Sequence, residues 1–297
     1  MTAKKLVLYL HGGLGDQLRK YFAGLYLSQR TNRELIFDTS FQHEWHIGDV
    51  SSLSFLFENI PVDNNVLASR ERYRFALRRS NKLLSSRGYI DSIFSYFQDF
   101  DNSSFDVTLN RQEIIAKLEA WRRRSVIAIN GYFPTFTYFR EVAKNSNVNF
   151  KLMTIPRDFQ NKCIIHFRTG DSYPVNSEAA RDLFYYESAI ARVRSFISDI
   201  EFYGIADNVP IAKVIYANLK IQWVDDSDKW DSYKLFSVLS HAQYFISSQS
   251  GISLWALAVS PMRKMSILPK VSDSSELGRM IKTGDFSKSI FIPSNSL

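Results

Sequence analysis

Cysteine is almost missing from this chain, and the absence excludes a good deal. A single thiol, Cys163, in 297 residues rules out a disulfide framework and any zinc site built on paired cysteines. It also fits a reducing, cytoplasmic compartment. No short-period repeat and no low-complexity segment occurs. The five apolar residues Leu6 to Leu10 end at His11-Gly12-Gly13, too few for a signal or membrane-spanning segment, so no leader is expected. The longest uncharged run, Ala242 to Met262, reaches spanning length but holds two glutamines and five serines. It reads as strand, turn and helix within a core, and a soluble protein is expected.

What the chain has is a core and a basic surplus. Hydrophobic residues make up 45% and aromatics 14%, enough for a well-cored globular protein of two ordinary domains. The net charge is +7, from 37 basic and 30 acidic side chains. That suits an anionic ligand, a membrane surface or nucleic acid, and does not choose among them.

The opening reads as a βαβ unit. Leu6 to Leu10 is a strand and His11 to Gly15 a tight turn. A helix from Asp16 follows, with Leu18, Phe22 and Leu25 inward and Arg19, Lys20, Gln29 and Arg30 elsewhere. Glu34 to Phe37, ending in Asp38, is the next strand. Residues 39 to 110 show little period, apart from a basic helical stripe over Arg70 to Leu84. Arg111 to Arg124 reads as a helix and Val126 to Asn130 as a strand. A boundary is expected over Asn145 to Pro156, giving domains 1–150 and 151–297. The second half is regular. Strands are expected at 163–167, 201–205, 221–224, 243–247 and 265–268, with helices at about 181–198, 210–219, 229–241 and 252–259. The expected fold is therefore α/β, with two Rossmann-like doubly wound domains facing a cleft.

Several stretches carry candidate chemistry. His166 and Arg168 lie two apart in Cys163-Ile164-Ile165-His166-Phe167-Arg168-Thr169-Gly170-Asp171, so both project from one face of an extended strand. A guanidinium at the carboxyl end of a strand suits a phosphate; pairing with Asp171 is the plainer alternative. Ser247-Ser248-Gln249-Ser250-Gly251 joins a strand to a helix, so Ser248, Ser250 and the Gly251 amide are placed for a second anion contact, or for a capping box alone. Gly12-Gly13-Leu14-Gly15 also sits between strand and helix. With Asp38 it could serve an NAD-binding oxidoreductase, although Leu18 stands where a third small residue is needed; it could also simply pack helix on strand. Asp226-Ser227-Asp228 matches the acidic signature of metal-dependent nucleotide-sugar transferases. Asp228 alternatively caps the following helix. His43 and His46 lack a third ligand and read as structural. The stripe Arg70 to Lys82 reads as a solvated face, or as a surface for anionic lipid or a lipid-diphosphate acceptor. No ribonucleoprotein signature accompanies it.

Together these stretches resemble the bacterial α-1,2-fucosyltransferases of glycosyltransferase family 11 and, more loosely, the core α-1,6 and protein O-fucosyltransferases. Gly12-Gly13-Leu14-Gly15-Asp16-Gln17 looks like the family's Gly-Gly-Leu-Gly-Asn-Gln. His166 to Asp171 looks like its His-x-Arg-Arg-Gly-Asp. Ile246 to Ala256 is similar to its Ile-Ser-Asn-Ser-Ser-Phe-Ser-Trp-Trp-Ala, and Phe202 to Asn208 faintly resembles a strand ending in Ser-Asp-Asp, with Asp207 the retained acid. The chain departs from these patterns at Asp16, Thr169, Gln249 and Leu254; Thr169 replaces the hallmark's second arginine.

The resemblance implies a GT-B fold, GDP-fucose or another GDP-6-deoxysugar as donor, inversion, and no metal or other cofactor. It implies roles for His166, Arg168, Gly170, Asp171, Asp207, Ser248, Ser250 and Gly251 toward the donor. Gly13, Gly15, Asp16 and Gln17 would form the acceptor-side loop, with Asp16 as base or helix cap and Arg168 stabilising the leaving diphosphate. It further implies a glycan acceptor, α-1,2 linkage in O-antigen or other surface polysaccharide, and work at the inner face of the membrane where that acceptor is lipid-linked.

Overall fold

The structure, a computed structural model of the chain, describes residues 4–10, 12–38, 67–69, 94–98, 111–120, 122–123, 126–131, 133–146, 148–155, 159, 161–169, 183–260, 263–273 and 275–293. His43, His46, the Arg70 to Lys82 stripe, Gly170 and Asp171 lie outside the described residues. The described chain divides into two compact units, the first ending at Asn149 and the second running on from Phe150.

In the first unit, β1 (Lys5–Tyr9) feeds α1 (Leu14–Thr31), which returns to β2 (Glu34–Asp38). Strands β3 (Leu67–Ser69), β4 (Phe94–Gln98) and β5 (Val126–Asn130) complete a sheet of order β3-β2-β1-β5-β4, parallel in every pairing. Helices α2 (Arg111–Ala120) and α3 (Thr137–Asn145) accompany it. Asn32 ends α1 in the left-handed region, φ 49°, and its N–H bonds the Ser28 carbonyl; Asn tolerates that conformation better than most residues. Tyr21 of α1 stacks on Phe37 at 5.2 Å, and Phe22 and Tyr26 meet Phe139 and Tyr138 of α3 at 4.8 and 5.4 Å. With the sheet on one side and α3 on another, α1 has little polar face left. Arg19 and Lys20, expected on that face, are buried, while Gln29 and Arg30 are exposed as read.

In the second unit the strands are β6 (Cys163–Phe167), β7 (Phe202–Ala206), β8 (Gln222–Trp223), β9 (Tyr244–Ile246), β10 (Met265–Lys270) and β11 (Ser289–Pro293). Their order is β11-β10-β9-β6-β7-β8, parallel in every pairing. Helices α4 (Leu183–Arg194), α5 (Val209–Ile215), α6 (Ser232–His241), α7 (Gly251–Val259) and α8 (Glu276–Thr283) alternate with them. Beneath β6 lies an aromatic core in which the Phe167 ring is 4.5, 4.6 and 4.9 Å from those of Tyr186, Tyr216 and Trp223. Gly204 admits that tryptophan, since a Cβ there would stand 2.8 Å from its ring.

The single helix expected over 229–241 is two elements, a 3-10 turn Ser227–Lys229 and then α6. Asp231 separates them, its carboxylate accepting the Lys234 N–H at 2.7 Å, so the cap is Asp231 and not Asp228. Missed in the sequence were β3, β4, α3, α8 and β11. Helix α3 buries only Tyr138 and Val142, one i,i+4 pair in a polar stretch. The Ala242 to Met262 run, described as far as Ser260, folds there as strand, turn and helix, as expected. Among the described residues no helix is long and apolar enough to cross a membrane.

Candidate functional site

Strand β6 is the first of its sheet in sequence, yet it lies between β7 and β9. The chain therefore leaves its carboxyl end in one direction and that of β9 in the other, which opens a crevice of the kind where α/β sheets take ligands. Arg168 and Thr169 follow β6, Asp207 follows β7, and the turn Ser247 to Ser250 follows β9. The second sheet thus gathers Arg168, Thr169, Asp207, Ser248 and Ser250 at one end.

His166 ties two of these segments together. Its Nδ1 lies 2.6 Å from Ser253 Oγ and 2.9 Å from Ser248 Oγ, and the two hydroxyls are 3.2 Å apart. The ring is only 3% exposed. Burial holds the imidazole neutral, its pKa pushed down to about 4; Arg168 adds to this and Asp207 opposes it. A neutral ring can accept a hydroxyl proton at Nδ1, and the second hydroxyl then closes the triangle. Instead of reaching outward beside Arg168, as strand alternation suggests, His166 braces the β9–α7 turn from within.

That turn ends at Ser250, whose backbone is extended at φ −137° and whose side chain makes no cap to α7. The capping-box alternative is thereby corrected. A helix start leaves its first amides without intrahelical partners, and the dipole favours an anion there. Two adjacent tyrosines of α4, which sequence reading did not single out, hold the backbone from below. The Tyr185 hydroxyl donates to the Ser247 carbonyl at 2.7 Å, and that of Tyr186 to the His166 carbonyl at 3.1 Å. Both are buried. Their signal was weak, since paired aromatics in a helix ordinarily mean core packing.

Thr169, where the family hallmark is broken, is 1% exposed. Its N–H donates to Asp207 Oδ1 at 2.5 Å; its hydroxyl lies 2.9 Å from the same oxygen and 3.1 Å from the Asn208 carbonyl. Asp207 is exposed at the surface end of β7, and Arg168 is half-buried. Asp226 and Asp228 are exposed, and neighbouring Asp225 pairs with Lys213 at 2.7 Å. Among the described residues no group of three or more His, Cys, Asp or Glu gathers as a metal site requires.

The glycine turn lies in the first unit, at the corresponding switch between β1 and β5. Gly12 has φ +88°, and a Cβ on it would stand 2.6 Å from Asp16 Oδ2; only glycine gives the carboxylate that room. Gly13 is the N-cap of α1 and its carbonyl accepts the Asp16 and Gln17 N–H groups, each at 3.0 Å. Gln17 is buried and its amide donates to the Gly12 carbonyl at 2.7 Å, so it braces the turn. Gly15 is buried in the first turn of α1. Asp16 makes no cap; its Oδ1 pairs with the buried Arg19 guanidinium. Helix capping by Asp16 is corrected accordingly. Leu18, which crowds the third small position of a dinucleotide fingerprint, is fully buried.

No protein-family model matches the chain, and no curated protein matches it in sequence. Solved structures are similar to it. The fucosyltransferase NodZ from Bradyrhizobium shares 14% identity at a TM-score of 0.50, covering 88% of this chain and 94% of its own. POFUT1 in complex with GDP shares 10% at 0.47, covering 90% and 98%. A putative UDP-N-acetylglucosamine 2-epimerase from Listeria monocytogenes shares 12% at 0.46, covering 100% and 85%. The fold is α/β of the GT-B type, built of two Rossmann-like units.

Proposed function

We propose that the chain is an inverting fucosyltransferase, moving L-fucose or a related 6-deoxysugar from GDP to a hydroxyl of a glycan acceptor. The observation that supports this reading is the His166–Ser248–Ser253 triangle, which sets the β9–α7 turn beside the strand end that carries Arg168. In such a transfer, positive charge builds on the sugar ring and negative charge on the departing diphosphate. Arg168 and the first amides of α7 supply fixed positive ends where that negative charge develops. Asp207 faces the nucleoside, and the neutral His166 keeps the turn in shape. Gly170 and Asp171 extend the donor loop.

On the acceptor side, Asp16 takes a hydrogen bond from the attacking hydroxyl, in the loop formed by Gly13, Gly15 and Gln17. Arg19 tethers one of its oxygens and steadies the negative charge, which favours orienting the hydroxyl over taking its proton fully before attack. The second unit is the donor domain and the first the acceptor-side domain. The acceptor is a unit of O-antigen or another surface polysaccharide, joined through an α-1,2 linkage. It is carried on a lipid diphosphate at the cytoplasmic face of the membrane.

The test is thermal stabilisation by GDP, GDP-fucose, UDP, CDP and NAD, each with Mg²⁺ and with EDTA. A ligand held at a hundred times its Kd stabilises by about 2.7 kcal/mol. Only the GDP compounds should raise Tm, equally with metal and without. A shift with NAD, or one with UDP that EDTA removes, would replace this reading with an oxidoreductase or with a metal-dependent transferase using Asp226 and Asp228.

A further inference from the structure

We propose that the amino end of the second sheet is a docking face for an anionic bilayer surface, holding lipid headgroups through exposed lysines and arginines. The inference goes beyond the transfer reading and does not depend on it.

All six strands of that sheet run parallel, and their register sets their first residues nearly level. Whatever precedes a strand, or ends a helix that leads into one, therefore arrives at the same end of the unit. Lys220, Lys264 and Lys288 stand just before β8, β10 and β11. Arg192 and Arg194 lie in the last turn of α4, and Lys282 in that of α8. All six are exposed, and among the described residues none forms an ion pair. Lys162, before β6, is instead paired with Glu201. Asp199 and Asp285 are the other exposed acids described at that end, so six unpaired cations face two acids.

Helix C-termini attract cations on their own account, because the macrodipole is negative there. That accounts for Arg192, Arg194 and Lys282. It does not account for the three lysines, which lie well past α5, α7 and α8 and lead into strands, where a sheet has little net dipole. The opposite end of the same unit is acidic, with Asp225, Asp226 and Asp228 after β8 and Asp273 after β10, all exposed. The charge is therefore sorted by end. Strands lie about 4.8 Å apart, so the basic row runs across about 24 Å, and a planar anionic surface meets its whole length at once.

The aromatic rings at this end favour lipid over nucleic acid. Phe196, just past α4, is 53% exposed, and the Arg192 guanidinium lies 4.5 Å from its ring centre. Lys264 overlies Tyr244 of β9 in the same way, at 5.8 Å. A ring sheathed by a cation suits the boundary of headgroups and acyl chains, where the ring sinks in and the charge stays with the headgroups. A base stacks flat on an open ring, and one face of Phe196 is already covered. Docked this way, the crevice at the carboxyl end faces the water from which a nucleotide arrives.

The experiment is co-sedimentation of the full chain with phosphatidylcholine vesicles, with and without a third of phosphatidylserine, at low and at physiological salt. Binding should require the anionic lipid and weaken with salt. Each cation near an anionic leaflet strengthens binding about fivefold, so Lys220→Gln, Lys264→Gln and Lys288→Gln combined should weaken it on the order of a hundredfold. Lys151, Lys229 and Lys270 are exposed cations toward the other end. Changing all three to Gln removes the same charge and should weaken binding less than about threefold. Phe196→Ser should weaken it about fivefold. Should the first triple variant fail to fold, Arg192→Gln with Lys282→Gln is read the same way, at about thirtyfold. Equal losses in the two triple variants overturn the inference, since net charge alone would then be binding. So does sedimentation that is no stronger with phosphatidylserine than without it. Tighter binding to single-stranded RNA than to the anionic vesicles at the same salt also overturns it, and makes the face a nucleic-acid surface.

Discussion

Between pH 7 and pH 5 the unfolded chain takes up a proton on His166 that the folded chain refuses. In the unfolded state the ring titrates near its ordinary 6.5, whereas in the fold burial holds it at about 4. Over that window the unfolded state binds more protons, so stability must fall as the pH falls. The contribution is complete above the unfolded value, is lost down to the folded value, and is constant below it. With these two constants, the step from pH 7 to pH 5 removes roughly 2 kcal/mol, and the whole window about 3 kcal/mol. Urea denaturation at pH 7, 6 and 5 reads it, with His166→Asn as the reference, since asparagine keeps an acceptor near Ser253 but does not titrate. The variant should start less stable and lose less on acidification, by roughly the same 2 kcal/mol. Parallel pH slopes in the two proteins would mean that His166 is not held neutral, and the triangle with Ser248 and Ser253 would have to be redrawn.

Two further outcomes follow from the first unit. If the proposed transfer is right, Asp16→Asn should lower its turnover on the order of a hundredfold while leaving GDP affinity as it was; steady-state kinetics beside GDP titration decides, and normal turnover removes Asp16 from the reaction. Gly12→Ala should cost more than about 1 kcal/mol, because it forces a side chain into φ +88° and against the Asp16 carboxylate; an unchanged urea midpoint would refute that account of the turn.

The alternation of strand and helix in the second half was legible because buried parallel strands are short apolar runs, and Cys163 to Phe167 or Tyr244 to Ile246 can hardly be anything else. The strand order, and with it the switch point beside β6, came only from the structure. What the sequence withheld was direction and partnership. Two residues apart on a strand, His166 and Arg168 looked equivalent; packing turned one into a brace and left the other half-buried. Thr169 looked like a loss, because its use depends on Asp207, 38 residues away. Arg19 looked solvated, because nothing local announces that its side of α1 will be buried. Short elements such as β3, and the helices α3 and α8 of nine and eight residues, are too brief for their few apolar positions to stand out.

The tyrosines under the second sheet bear on how such a protein could be altered. Ser247 and His166 take their backbone positions from hydroxyls on α4, so the crevice rim is pinned to a helix lying under the sheet. Grafting the β6 and β9 turns of a different α/β protein onto this chain would carry over the lettering without the type-bed. A transplant that brought Tyr185 and Tyr186 along would move the crevice intact, and the smallest exchangeable part is therefore the strands, their turns and α4 together.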